Sequence, residues 1–205
     1  MSIGLVIRLF VLALLVAFLV SPESFAFVFE PLTKNNQPVI YNQGSLLDLT
    51  LNHLLIVAIA TALATTVAVG LAILVTRAFG AEFLPLSRSL ANVGQTFPPV
   101  AVLALAVPML GFGTAPTLVA LFLYGLLPIF ENTLTGLTGL PPAVTEAARG
   151  MGMTGRQRLL RVELPLALPV ILAGVRLSTV ISLATATIGS TVAARTLGEV
   201  IIAGL

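Results

Sequence analysis

The chain has no cysteine and no tryptophan, one histidine and one lysine, and only 9% of its 205 residues are charged. Each scarcity closes a class of chemistry. Without cysteine there is no disulfide framework, thiolate nucleophile or zinc–thiolate site. The lone histidine, His53, is too few for a metal centre and reads as an ordinary interfacial residue where the apolar run from Leu51 enters a membrane. The lone lysine, Lys34, stands between Thr33 and Asn35, not in a GxxxxGK[ST] loop, so nothing here cradles the phosphates of ATP. A net charge of +2, carried mainly by arginines with no aromatic stacking pattern, points away from nucleic acid. HExxH, a second histidine and paired intramembrane aspartates are also missing, so there is no basis for an intramembrane enzyme. No catalytic residue, metal site or cofactor is assigned.

What the chain has in quantity is apolar surface: 58% of residues are hydrophobic and the mean hydropathy is +1.09. So little polar surface cannot cover a soluble globule, and the solvent must be lipid. Long apolar runs without the alternation of barrel strands predict an all-α, polytopic transmembrane bundle. Residues 1–20 read as an N-terminal transmembrane helix. The competing reading is a signal peptide, since Ser24 and Ala26 satisfy a small-x-small cleavage rule. Residues 21–50, with Pro22, Pro31, Pro38, Asn35, Asn36 and Gly44, read as an external loop with short turns. Residues 51–205 form the transmembrane domain.

Within that domain, Leu51–Val75 spans first, and Arg77 and Arg88 bracket the turn that follows. Ser89–Leu110 is interrupted at Phe97-Pro98-Pro99, where adjacent prolines predict a kink or break. Asn92, Gln95, Thr96, Pro98 and Pro99 then either line a translocation path or hold the kink by bonding a neighbouring helix. Thr117–Phe130 follows and is bent or ended by Pro128. A last segment, from Pro165–Gly174 to about Ala194, places Ser178, Ser182, Thr185 and Gly189 on one face, suited to close helix packing or to solute contact. Arg176 inside it either marks a functional position or snorkels to the interface, if the span begins near Gly174. Arg8, Arg77, Arg88, Arg149, Arg156, Arg158 and Arg161 fall on one side, Lys34 and Arg195 on the other. That asymmetry places the first group in the cytoplasm.

Residues 146–165 are a charged island within a loop that spans 141–165. Pro141-Pro142 suits a helix start, Gly150 and Gly152 interrupt it, and Thr154 with Gln157 forms a capping box for a second helix, Gly155–Leu164, stopped or kinked by Pro165. The pattern Glu146-Ala147-Ala148, three residues, Gly152, nine residues, Val162, one residue, Leu164-Pro165 resembles the EAA loop in the membrane subunits of bacterial ABC importers. Residues 94–108, 150–176 and 185–198 are similar to permeases of osmoprotectant uptake systems, which carry glycine betaine or choline.

The resemblance implies a type I ABC importer permease fold of about five helices, in a bacterial inner membrane with the loop cytoplasmic. It implies that Glu146, Ala147, Ala148, Arg149, Gly152, Leu164 and Pro165 couple to a separate ATPase subunit that binds the ATP, with Glu146 and Arg149 as polar contacts. The plain alternative for that pair is an i, i+3 salt bridge. A second permease subunit, identical or not, and an external solute-binding protein complete the machine. A permease for another small solute, such as an amino acid, or a passive channel or scaffold are the alternatives. With no tryptophan and only Tyr41 and Tyr124, an aromatic cage for a quaternary ammonium is expected in the binding protein instead. The chain departs from the family at Arg195-Thr196, where relatives carry small residues. It also ends at Leu205, where relatives continue through at least one more helix, so the final helix is expected to be missing.

Overall fold

The computed structural model describes residues 3–33 and 38–204; Lys34, Asn35 and Asn36 lie outside the described residues. The described chain is helical, with no strand. In order it forms α1 (Ile3–Val20), α2 (Ala26–Phe29), α3 (Leu46–Val75), α4 (Leu84–Thr96), α5 (Pro99–Leu110), α6 (Thr114–Thr138), α7 (Pro142–Gly150), α8 (Gly155–Arg158), α9 (Leu164–Thr185) and α10 (Gly198–Ala203). Three stretches, Leu46–Val75, Thr114–Thr138 and Gly155–Val192, are long and apolar enough to cross a membrane. Two bent pairs raise the number to as many as five, one turning by 116° after Val20 and the other by 97° between α4 and α5.

Helix α6 is the hub, packed by α3 and α9 along most of its length and by α4 and α5 on its remaining flank. Its apolar residues Leu121, Ile129 and Phe130 are fully enclosed. Small residues let the backbones approach, because lipid tails give helices no hydrophobic reason to associate. Ala60, Ala64, Ala68 and Ala72 make a four-residue repeat on α3, every one fully buried. At Gly94 of α4 a Cβ would overlap the carbonyl of Leu123 on α6, so only glycine fits that crossing.

Helix boundaries differ from the sequence expectation where capping or a distant partner decides them. Helix α3 starts at Leu46 because the Ser45 hydroxyl accepts from the Asp48 amide at 3.2 Å, adding a turn before Leu51. Pro128 does not end α6, which runs on to Thr138. Pro165 does not stop the helix from Gly155. A π-helical turn at Leu159–Glu163 joins α8 to α9, and its wider spacing accommodates the proline ring that an α-turn would clash with. Beyond Thr185 the chain tightens into a 3₁₀ helix, Ala186–Val192, and turns at left-handed Ala193, with φ 64°.

His53 is buried among the helices. Its Nε2 lies 3.1 Å from the Leu183 carbonyl, and its Nδ1 accepts from the Leu197 amide at 3.4 Å, so one neutral tautomer satisfies both and ties α3 to the turn before α10. At the Arg195-Thr196 departure, Thr196 is buried and accepts from the Gly198 amide at 3.2 Å, while Arg195 is exposed. Nearby, the Tyr41 hydroxyl donates to Glu199 Oε2 at 3.3 Å. Partial burial and that carboxylate push the Tyr41 phenol above its usual range.

Candidate coupling loop and pathway face

The loop between α6 and α9 is built by three local devices. Helix α7 ends in a complete Schellman motif: the Gly152 amide donates to the Arg149 carbonyl at 2.9 Å and the Met153 amide to the Ala148 carbonyl at 3.2 Å. That motif needs a left-handed residue at its penultimate position, and Gly152 supplies φ 75°. Two residues on, the Gln157 amide donates to Thr154 Oγ1 at 3.3 Å and the Thr154 amide to Gln157 Oε1 at 2.9 Å, closing the capping box. The third device is the π-turn into α9. Together they give a helix, a sharp corner and a helix within 142–163.

On α7 only Ala148 is buried, at 1% exposure; Glu146, Ala147 and Arg149 are open, and Met151 at the corner is 69% exposed. The ion pairs among the described residues include neither Glu146 nor Arg149. Leu164 packs beside Leu137, Ala167 and Ile171 at the foot of α9, and Pro165 is exposed.

A buried carboxylate fastens this loop to the bundle. Glu163, 5% exposed, meets Arg77 Nη2 at 2.7 Å and accepts from Arg158 Nε at 2.7 Å. Arg77 follows α3 and Arg158 closes α8, so one carboxylate joins a spanning helix, the loop and the start of α9. The sequence reading missed this group. Its signal was a lone acid between Arg161 and an apolar run, where an ionisable side chain demands a partner.

The break at Phe97-Pro98 is held by α6. Pro128 has no amide hydrogen, so the carbonyl of Tyr124, four residues earlier, loses its helical donor. Gln95 Nε2 donates to that carbonyl at 2.9 Å. The Tyr124 hydroxyl in turn donates to the carbonyl of Phe97, freed by the break. Thr96 donates to Val93 O at 2.7 Å within its own helix, while Pro98 is exposed and Pro99 half-buried. Arg88, Asn92, Gln95 and Thr96 form an exposed polar face on α4. Arg88 reaches across it to Glu131 of α6 in a bidentate pair at 2.6 and 3.0 Å.

Ser178 and Ser182 are at 0% and 1% exposure, on the seam where Gly174 of α9 meets Pro128 and Asn132 of α6. Their hydroxyls are enclosed in that seam. Thr185 is half-buried at the end of α9. Among the described residues no cluster of histidine, aspartate or glutamate could hold a metal ion.

A family profile described as "Binding-protein-dependent transport system inner membrane component" matches residues 68–205. The chain is 44% identical over 163 residues to the osmoprotectant import permease protein OsmY of Salmonella typhimurium, covering 80% of this chain and 69% of that one. It is 42% identical over 167 residues to the glycine betaine/carnitine/choline transport system permease protein OpuCB of Bacillus subtilis, covering 80% and 75%. A solved structure of the MetNI methionine ABC transporter is similar in fold, with a TM-score of 0.63 over 72% of this chain and 74% of that one. At 21% identity that likeness speaks to fold alone.

Proposed function

Given that the chain belongs to the binding-protein-dependent transport system inner membrane components, we infer that it is the membrane-spanning permease subunit of an ATP-driven importer for osmoprotectants of the glycine betaine, carnitine and choline class. The observation that carries this reading is the exposed α7 corner, rigid by its own hydrogen bonds and fastened to two spanning elements through Glu163. A handle of that kind passes a push to the bundle instead of folding away from it. An ATPase subunit seats on Glu146, Ala147, Arg149 and Gly152, with Ala148, Leu164 and Pro165 setting how the handle meets α9. The loop is cytoplasmic, by the arginine asymmetry. ATP is bound and hydrolysed by that partner, and a solute-binding protein meets the opposite end.

The pathway runs along the polar face of α4. An exposed Arg88–Glu131 pair with Asn92 and Thr96 beside it is unfavourable against lipid and suits a water-filled cavity between two permease subunits. Pro98 and Pro99 fix the break that opens this face, and Gln95 holds it. Ser178, Ser182 and Thr185 supply the packed seam behind it.

The solute class is tested by uptake of labelled glycine betaine, carnitine, choline and methionine in cells whose other uptake routes are deleted. Accumulation of the quaternary ammonium compounds and not of methionine is expected. Accumulation of methionine alone, or of none of the four, would discard the solute assignment.

A further inference from the structure

His53 is the only histidine in the chain, and both of its ring nitrogens are engaged. Nε2 lies 3.1 Å from the carbonyl of Leu183, which can only accept, so Nε2 carries the proton. Nδ1 lies 3.4 Å from the amide of Leu197, which can only donate, so Nδ1 keeps its lone pair. The ring thus bridges α3 to the end of α9 and to the turn that leads into α10, and one tautomer of its neutral form is required. The turn itself is folded onto the 3₁₀ helix before it. The Ala193 amide donates to Ser190 O and the Ala194 amide to Gly189 O, each at 3.1 Å. Gly198 is pressed so close to Thr187 that a Cβ would come within 1.9 Å of its carbonyl oxygen. Two contacts reach out of this unit besides the ring: the Gly113 amide donates to Val192 O at 2.6 Å, and Tyr41 donates to Glu199. Among the described residues, the Leu197 amide has no acceptor other than His53.

A second proton on the ring removes one of its two bonds. An imidazolium has two N–H donors and no acceptor, so Nδ1–H would face the Leu197 N–H while the bond to Leu183 survives. Leu197 is half-buried, so an amide freed from the ring can turn to water. The charged and titratable groups around the ring come from four elements. Asp48 lies five positions before it on α3, and Arg195 and Glu199 stand two positions to either side of Leu197. Tyr41, in the stretch before α3, holds Glu199, and Glu23, just after α1, lines a recess with Tyr41 and Leu46. Of the helices packed beside α3, α6 carries only the phenol of Tyr124 between Thr114 and Phe130, and residues 177–192 carry no ionisable side chain. The ion pairs among the described residues do not include His53, so no carboxylate already grips the ring in place of the lost bond. We propose that His53 is a proton-released latch: its neutral ring fastens the turn before α10 to α3, and its protonation frees that turn and α10 while α3, α6 and α9 stay packed. The latch lies apart from the coupling loop and does not depend on which solute the protein carries.

The test is hydrogen–deuterium exchange of the full chain in lipid nanodiscs, with whatever subunits co-purify, at about pH 8 and about pH 5, on either side of the ordinary imidazole value of about 6.5. Rates are corrected for the intrinsic pH dependence of amide exchange. In wild type, protection of the Leu197 amide is expected to fall by at least about tenfold from the higher pH to the lower, while peptides from α6 stay protected at both. His53→Gln, which has a donor and an acceptor but does not titrate, and His53→Ala, which has neither, are expected to show protection at Leu197 that does not change with pH, the Ala variant being the lower. Glu199→Gln is expected to keep the wild-type response. Equal protection of Leu197 at both pH values in wild type, a wild-type response in either His53 variant, or its loss in Glu199→Gln would overturn the latch. So would a parallel loss of protection in α6, since that is acid unfolding of the whole bundle. None of these outcomes bears on the transport reading, which the uptake measurement tests separately.

Discussion

The amide of Gln95 does on one helix what a proline removed from another. Pro128 deletes the donor to Tyr124 O, and Gln95 restores it from α4. Deleting the amide in Gln95→Ala leaves a partly buried carbonyl unpaired, at a cost of about 1–3 kcal/mol. In a Pro128→Ala background the helix supplies its own amide, so the same substitution should cost markedly less. Thermal midpoints of the four purified proteins in one detergent form a double-mutant cycle. Additive effects would mean that the two residues do not share this carbonyl. The sequence made Gln95 visible as a polar residue beside adjacent prolines but left its role open between path and clamp. The partner it bonds is a carbonyl on another helix, and no periodicity on α4 encodes it. Pro128 and Pro165 were harder to read for the same reason, because a proline's effect depends on who replaces the lost hydrogen bond.

At the scale of elements, the loop from α7 to α9 was the most legible part of the fold. Its Schellman corner at Gly152 and its capping box at Thr154 are made from residues within five positions of each other. The fastening through Glu163 was not legible, because Arg77 comes from the end of α3, far off in sequence. Glu163→Ala would leave two arginines facing an empty site, and removing one partner of a buried ion pair costs about 3–5 kcal/mol. A lower thermal midpoint is expected, together with faster tryptic cleavage at Arg156, Arg158 and Arg161 as the loop detaches. Wild-type behaviour in both measurements would mean that the carboxylate does not anchor the loop.

For the whole molecule, the consequence is a division between a bundle closed by small residues and a handle that protrudes from it. Composition alone was enough to infer a helical membrane bundle. Which helix sits at the centre was not readable, since α3, α6 and α9 are all long, apolar and rich in small residues, and only their mutual packing makes α6 the hub. The central claim is that an ATPase drives this bundle through the α7 corner. Its most direct test is ATP-driven uptake by the reconstituted importer bearing Glu146→Ala or Gly152→Val, the second forcing a β-branched residue into φ 75°. The account predicts that both variants reach the membrane in normal amount, while uptake falls at least about tenfold and the ATPase is retained less tightly on purification. Normal ATP-driven uptake by both variants would contradict it.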